Sequence, residues 1–191
     1  RKLCFASSAA IYGDNPIVPK LESMPPEPKS PYASTKFDGE NHCGMFQRKG
    51  HLNTACLRFF NVFGPRQDPN GPYAAAVPIF FQKALAGESL TIFGDGSATR
   101  DFIFVKDIVA AMVFLAENES VSGVFNAGYG NQTSVKELAE RILDLTGSSS
   151  GIVYAPERAG DVRHSVASVE KLKAAGFYPE GSLADGLQAM A

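Results

Sequence analysis

Apolar residues along this chain gather in short runs, separated by polar stretches rich in glycine and proline, and the runs follow two different periods. Leu3–Ser7 is a brief apolar run of the kind that fills a central strand. Residues 14–31 carry Pro16, Pro19, Pro25, Pro26, Pro28 and Pro31, so they form a long loop. From Tyr32 to about Lys49 the pattern is helical, with Gly50 as the stop. Thr54–Phe60 is again β-like, followed by a loop through Pro72. Helical patterns recur at about 74–86, 106–118 and 134–146. The last has Thr133 or Ser134 as N-cap, Glu137 placed to close a capping box, and Gly147 as terminator. Leu90–Phe93, Phe102–Val105, Val124–Asn126 and Ile152–Tyr154 read as strands, and Ser168–Ala175 and Ser182–Met190 as closing helices. This alternation predicts an α/β fold with a mainly parallel sheet. It shows no internal repeat.

Composition narrows the function classes. The 191 residues are 45% hydrophobic and 20% charged, with formal net charge −2 and pI about 5.9. There is no block of like charges, which argues against nucleic-acid and polybasic membrane partners. No apolar run approaches the roughly 18 residues of a membrane span, and the first residues do not read as a secretion signal. Cys4, Cys43 and Cys56 lack metal-ligand spacing and read as small buried hydrophobes, which points to a reducing cytoplasm. His42, His51 and His164 are scattered, and no metal site is expected. Arg1 leads straight into the first predicted strand, so we expect that residues preceding it are missing.

The chemistry begins with Tyr32-Ala33-Ser34-Thr35-Lys36, which sets a phenol and an ammonium on one face of a helix start. A free phenol has a pKa near 10, and bringing one to neutrality takes roughly 4 kcal/mol of phenolate stabilisation. A neighbouring ammonium and the positive helix N-terminus both act in that direction. Taken alone, such a pair also arises by chance on helix surfaces. Ser8, however, leaves the C-terminal end of the opening strand, where ligands bind in open α/β sheets.

Three segments then occur together: Ser7-Ser8-Ala9-Ala10-Ile11-Tyr12-Gly13, Ser30-Pro31-Tyr32-Ala33-Ser34-Thr35-Lys36, and Arg58-Phe59-Phe60-Asn61-Val62-Phe63-Gly64-Pro65-Arg66. In that order the chain resembles the extended short-chain dehydrogenase/reductase family of NAD-dependent nucleotide-sugar epimerases and dehydratases, over essentially its whole length. The resemblance implies the C-terminal part of a Rossmann-like parallel sheet plus a small α/β substrate-binding subdomain. Residues 1–64 would belong to the dinucleotide-binding unit and 65–191 mainly to the substrate unit, with 98–130 partly returning to the first sheet. Ser8, Tyr32 and Lys36 match the catalytic triad. Tyr32, Lys36, Phe59 and Pro65 match the nicotinamide end of bound NAD.

The family's dehydratases carry Asp-Glu just after the residue matching Ser8, because loss of water needs an extra acid and base. This chain has Ala9-Ala10 there, and Gln67-Asp68-Pro69-Asn70-Gly71-Pro72-Tyr73 resembles a 4-epimerase loop. The implied reaction is therefore epimerisation at C4 of a UDP-hexose. For the substrate, the resemblance assigns Phe93 to the base, Arg100 and Arg158 to the diphosphate, Asp161 to the ribose and Asn61 to the diphosphate or sugar. Ser165 falls at a gate beside the sugar's C2 substituent, where a small side chain admits N-acetyl groups. Without the resemblance, Phe93 reads as core, Arg100-Asp101 as a surface pair and Asn61 as a turn residue capping a strand end.

The family's G-x-x-G-x-x-G loop is not found in the 191 residues. Gly94-Asp95-Gly96 is no substitute, because no helix follows it. The 191 residues alone are accordingly expected to bind NAD weakly and not to turn over. A homodimer using the helix at 32–49 is implied as well. A UDP-uronate or ADP-heptose epimerase and a non-catalytic remnant stand as alternatives.

Overall fold

The computed structural model describes residues 1–71, 75–158 and 162–191. Strand β1 (Lys2–Ser8) runs into a 3₁₀ turn at Ala9–Tyr12, and the proline-rich loop then leads to helix α1 (Pro31–Arg48). There follow β2 (Asn53–Phe59), β3 (Asn61–Phe63), α2 (Ala76–Leu85), β4 (Leu90–Phe93), β5 (Thr99–Arg100) and β6 (Phe102–Phe104). The chain continues through α3 (Val105–Glu117), β7 (Gly123–Ala127), β8 (Thr133–Ser134), α4 (Val135–Thr146) and β9 (Ile152–Ala155), and closes with β10 (His164–Ser165), α5 (Glu170–Ala174) and α6 (Leu183–Gln188).

The fold is α/β with predominantly parallel pairing, as the hydrophobic pattern predicts. Strands β1, β2 and β7 form one parallel sheet with β1 at its edge. Parallel pairs also join β3 to β6, β4 to β9 and β10 to β5, while β8 runs antiparallel to β5. These registers set the site. Ser8 lies opposite Phe59 at the C-terminal end of the first sheet, Asn61 opposite Phe102, and Ser165 opposite Arg100.

Two apolar cores hold the layers. Leu57 and Phe125 of the first sheet pack with Ile108 and Leu115 of α3 and Leu172 of α5. Leu90 and Ile92 of β4 pack with Phe80 and Phe81 of α2 and Leu138 and Ile142 of α4. Helix α1 sits directly on β1: a Cβ at Gly39 would come 2.2 Å from the Phe5 ring. Only a glycine permits that approach without movement of the ring.

Predicted and observed boundaries agree within one or two residues, and the differences have local causes. Pro31 is itself helical, a position that suits its fixed φ, with Ser30 Oγ accepting the Ala33 N–H at 3.2 Å. The Ser134 hydroxyl caps α4, but the Glu137 carboxylate pairs with Arg141 (2.8 Å) rather than completing a capping box. The reciprocal box occurs instead between Ser182 and Asp185. The two- and three-residue strands β3, β5, β8 and β10 are too short to show alternation. Cys43 and Cys56 are buried, whereas Cys4, on the edge strand, is only half-buried. Among the described residues no helix is long and apolar enough to cross a membrane.

Candidate active site

Ser8 ends β1 and caps the 3₁₀ turn that follows, its Oγ accepting the Ala10 N–H at 3.2 Å. That contact uses an oxygen lone pair and leaves the hydroxyl hydrogen available to a ligand. Tyr32 is the second residue of α1 and is 42% exposed, so its side chain is open to solvent at the head of the helix. One turn on, the Lys36 ammonium lies 5.6 Å from the centre of the Tyr32 ring. It donates to the Ala6 carbonyl oxygen at 2.9 Å. The cation is thus tied to β1 two residues before Ser8, with Tyr32 one helical turn away on α1.

A buried polar network fixes that crossing. Arg58 of β2 makes a two-pronged contact with Glu40 of α1, Nε to Oε1 at 2.9 Å and Nη2 to Oε2 at 2.8 Å. Ser7 Oγ donates to the same Glu40 Oε1 at 2.6 Å. The guanidinium of Arg58 lies 4.8 Å from the centre of the Tyr12 ring. Tyr12 in turn donates to Asn126 Oδ1 at 2.6 Å. Burial pushes the Tyr12 phenol above its ordinary range against the pull of Arg58, so it stays a neutral donor. Glu40 escaped the sequence reading although a signal existed: Tyr32, Lys36 and Glu40 recur every fourth residue on one helix face. No local pattern announces its partner Arg58.

Two adjoining cavities lie beside these groups. One, of about 460 Å³, is lined by Ser8, Lys20, Phe59, Asn61, Arg100 and Ser165. The other, of about 410 Å³, takes Asn61 and Arg100 as well and adds Lys83, Thr91, Phe93 and Arg158. Both volumes are in the range of small-molecule sites, and the shared Asn61 and Arg100 mark where they meet. Of the sequence-predicted binding residues, Asn61, Phe59, Phe93, Arg100, Arg158 and Ser165 therefore line this pair of cavities. Tyr32, Lys36 and Pro65 line neither of the two; Pro65 lines a separate hollow with Gly64 and Arg66. Asp161 lies outside the described residues, as do Pro72 and Tyr73 of the 4-epimerase-like loop.

Three readings made without the resemblance are corrected. Phe93 is not core: it is 38% exposed, with the Arg158 guanidinium 3.7 Å from its ring centre. Asn61 is itself the first residue of β3 rather than a turn residue capping a strand end. Asp101 is not half of a surface pair: it is 0% exposed and accepts the backbone N–H groups of Tyr129 (2.8 Å), Gly130 (2.9 Å) and Ala167 (3.1 Å). Burial pushes its carboxyl up, while those N–H groups pull it down. Asp101 thereby pins the segment after β7 and the segment after β10 to β5, which holds Arg100 beside Ser165. Arg100 itself donates through Nη1 to the carbonyls of Thr99 (3.0 Å) and Arg163 (3.3 Å).

With this geometry in place, similarities to known proteins fall into one pattern. The model of the NAD dependent epimerase/dehydratase family matches residues 1–128. The chain is 39% identical over 189 residues to a UDP-glucose 4-epimerase of Mycolicibacterium smegmatis, covering 98% of this chain and 60% of that protein. Among solved structures, a UDP-N-acetylglucosamine 4-epimerase from Methanobrevibacter ruminantium, in complex with UDP-N-acetylmuramic acid, superposes with TM-score 0.95 at 42% identity. That alignment covers 99% of this chain and 61% of the other. A UDP-glucose 4-epimerase from Thermotoga maritima with UDP-glucose gives TM-score 0.92 at 40% identity, over 99% of this chain and 62% of the other. The chain therefore spans about 60% of the length of the curated relatives it matches.

Proposed function

Because this chain belongs to the NAD dependent epimerase/dehydratase family, we propose that the full-length polypeptide carrying it inverts C4 of a UDP-hexose. The observation that carries this reading is a cavity lined by Ser8 and Ser165 that shares Asn61 and Arg100 with a neighbouring one lined by Phe93 and Arg158. A sugar fits the first and a nucleotide the second, with the diphosphate between them. Epimerisation is favoured over dehydration because Ala9 and Ala10, which bring no ionisable group, line the sugar end beside Ser8.

Tyr32 removes and returns the proton on O4, while Ser8 donates its free hydroxyl hydrogen to the same oxygen. Lys36, fastened to Ala6, keeps a positive charge beside the phenol as negative charge develops there. Arg100 and Arg158 hold the diphosphate through charge-assisted hydrogen bonds, so that the sugar alone turns over between the two faces. Phe93 meets the base, Asn61 the diphosphate or sugar, and Asp161 the ribose. Bound NAD supplies reversible acceptance of the C4 hydride. Tyr32, Lys36 and Phe59 fit its nicotinamide end, being grouped at the C-terminal end of the first sheet; Pro65, in its separate hollow, supports this less directly. The pyrophosphate grip is assigned to residues outside these 191, which by themselves bind NAD weakly and do not turn over.

The same reading assigns 1–64 to the cofactor side and 65–191 mainly to the substrate side, with 98–130 partly rejoining the first sheet through β7. Exposed Met45 and Phe46 on α1 suit a homodimer contact. The test is to incubate the full-length enzyme and NAD with UDP-glucose and UDP-N-acetylglucosamine and to follow the 4-epimers by NMR. Both are expected, since Ser165 leaves room for an N-acetyl group. Activity on glucose alone would remove the Ser165 assignment, and failure to epimerise any UDP-hexose that binds would refute the reading.

A further inference from the structure

Lys20 sits in the wall of the sugar-end cavity with no carboxylate paired to it among the described residues. It is only 2% exposed. Its backbone is held on two sides: its N–H donates to Val166 O at 2.8 Å, and its carbonyl accepts Ser168 N–H at 2.8 Å and Asn126 Nδ2 at 2.8 Å. The side chain is therefore aimed by fixed structure. Its ammonium donates to the Asn15 carbonyl oxygen, and no carboxylate among the described residues pairs with it. Burial lowers the group's proton affinity.

Buried charges in proteins are ordinarily paired and fully hydrogen-bonded. An ammonium has three donors, and the Asn15 carbonyl is the one acceptor that Lys20 has among the described residues. The surrounding charges are unbalanced in the same sense. Lys20 and Lys29 line this cavity, with Asp14 as the carboxylate among its described lining residues. A diphosphate ester brings two negative charges, which Arg100 and Arg158 match. Lys20, on the Ser8 and Ser165 side, is left over.

We propose that Lys20 is a specificity-determining residue that binds a carboxylate carried by the sugar of the substrate. This rests on the nucleotide-sugar reading above and narrows it: acidic hexoses are held in preference to neutral ones. The carboxylate has two chemical sources, C6 of a hexuronate or an ether arm at C3. Both present the same group to the ammonium.

The experiment is titration calorimetry on the full-length, NAD-loaded enzyme with UDP, UDP-glucose, UDP-glucuronate and UDP-N-acetylmuramate, comparing wild type with Lys20→Met and Lys20→Arg. In wild type one acidic sugar nucleotide binds about tenfold or more tighter than UDP-glucose, the range of a charge-assisted hydrogen bond. Whichever acid shows the preference locates the carboxylate. In Lys20→Met the acid-to-neutral ratio falls to about one, and Lys20→Arg recovers part of it. A role confined to bracing the loop at Asn15 lowers every affinity in parallel and leaves the ratio intact, which overturns the proposal, as does a wild-type ratio near one. Failure of wild type to bind UDP at all overturns the nucleotide-sugar reading itself. If Lys20→Met does not fold, Lys20→Gln supplies the uncharged comparison, with the same two outcomes for the ratio.

Discussion

Replacing Glu40 with methionine leaves the Arg58 guanidinium charged and buried with its main partner gone. The two side chains are 5% and 4% exposed, so solvent cannot take over the lost contacts. Removing one member of a buried ion pair costs about 3–5 kcal/mol. For a chain of this size each kcal/mol lowers Tm by about 2–4 °C, so the expected loss is roughly 6–20 °C. Arg58→Met, which strands Glu40, falls in the same range. The double variant behaves differently, because two apolar side chains of similar volume replace a pair whose desolvation offsets much of its attraction. What remains is chiefly Ser7 Oγ without its acceptor at 2.6 Å, a cost of about 1–3 kcal/mol. Urea denaturation of the four proteins, followed by far-UV circular dichroism at constant m, completes the cycle. The coupling energy is expected to be several kcal/mol. Strictly additive losses, or a Glu40→Met cost below about 1 kcal/mol, would refute the claim that this pair locks α1 onto the first sheet.

Tyr32→Phe removes the proposed proton acceptor with little change in shape; kcat in the full-length enzyme drops by about 10²–10⁴-fold while UDP affinity holds, and a variant with near wild-type kcat would move the base elsewhere. Arg158→Met, at an exposed position against Phe93, weakens UDP binding by about tenfold in calorimetry with Tm unchanged; unaltered affinity would remove Arg158 from the diphosphate site. Lys20→Met is more stable than wild type at neutral pH, because a buried unpaired charge is gone. Burial lowers the folded-state proton affinity of Lys20, so the unfolded chain holds that proton more tightly. Wild-type stability therefore gains on the variant as pH rises from the lowered folded value toward the free-lysine value of about 10.4, and a gap that stays constant or widens over that window contradicts the burial argument.

Some of this protein is legible one segment at a time. The proline-rich loop, the helix from Tyr32 to its stop at Gly50, and the placing of Tyr32 beside Lys36 all follow from backbone preferences and helical spacing among residues a few positions apart. The strand that ends in Ser8 is legible for the same reason. What escaped depends on partners far along the chain: Arg58 on Glu40 eighteen positions away, and Asn126 on Lys20 across 106. A lysine or an aspartate has the same local signature whether it is solvated or enclosed. Thus the burial of Asp101, the exposure of Phe93 and the enclosure of Lys20 were settled only when sheet register brought distant segments together. Local sequence dictates which elements form and what chemistry they carry; tertiary packing decides which charges lose their water, because desolvation depends on every neighbour in space and on none in particular along the chain.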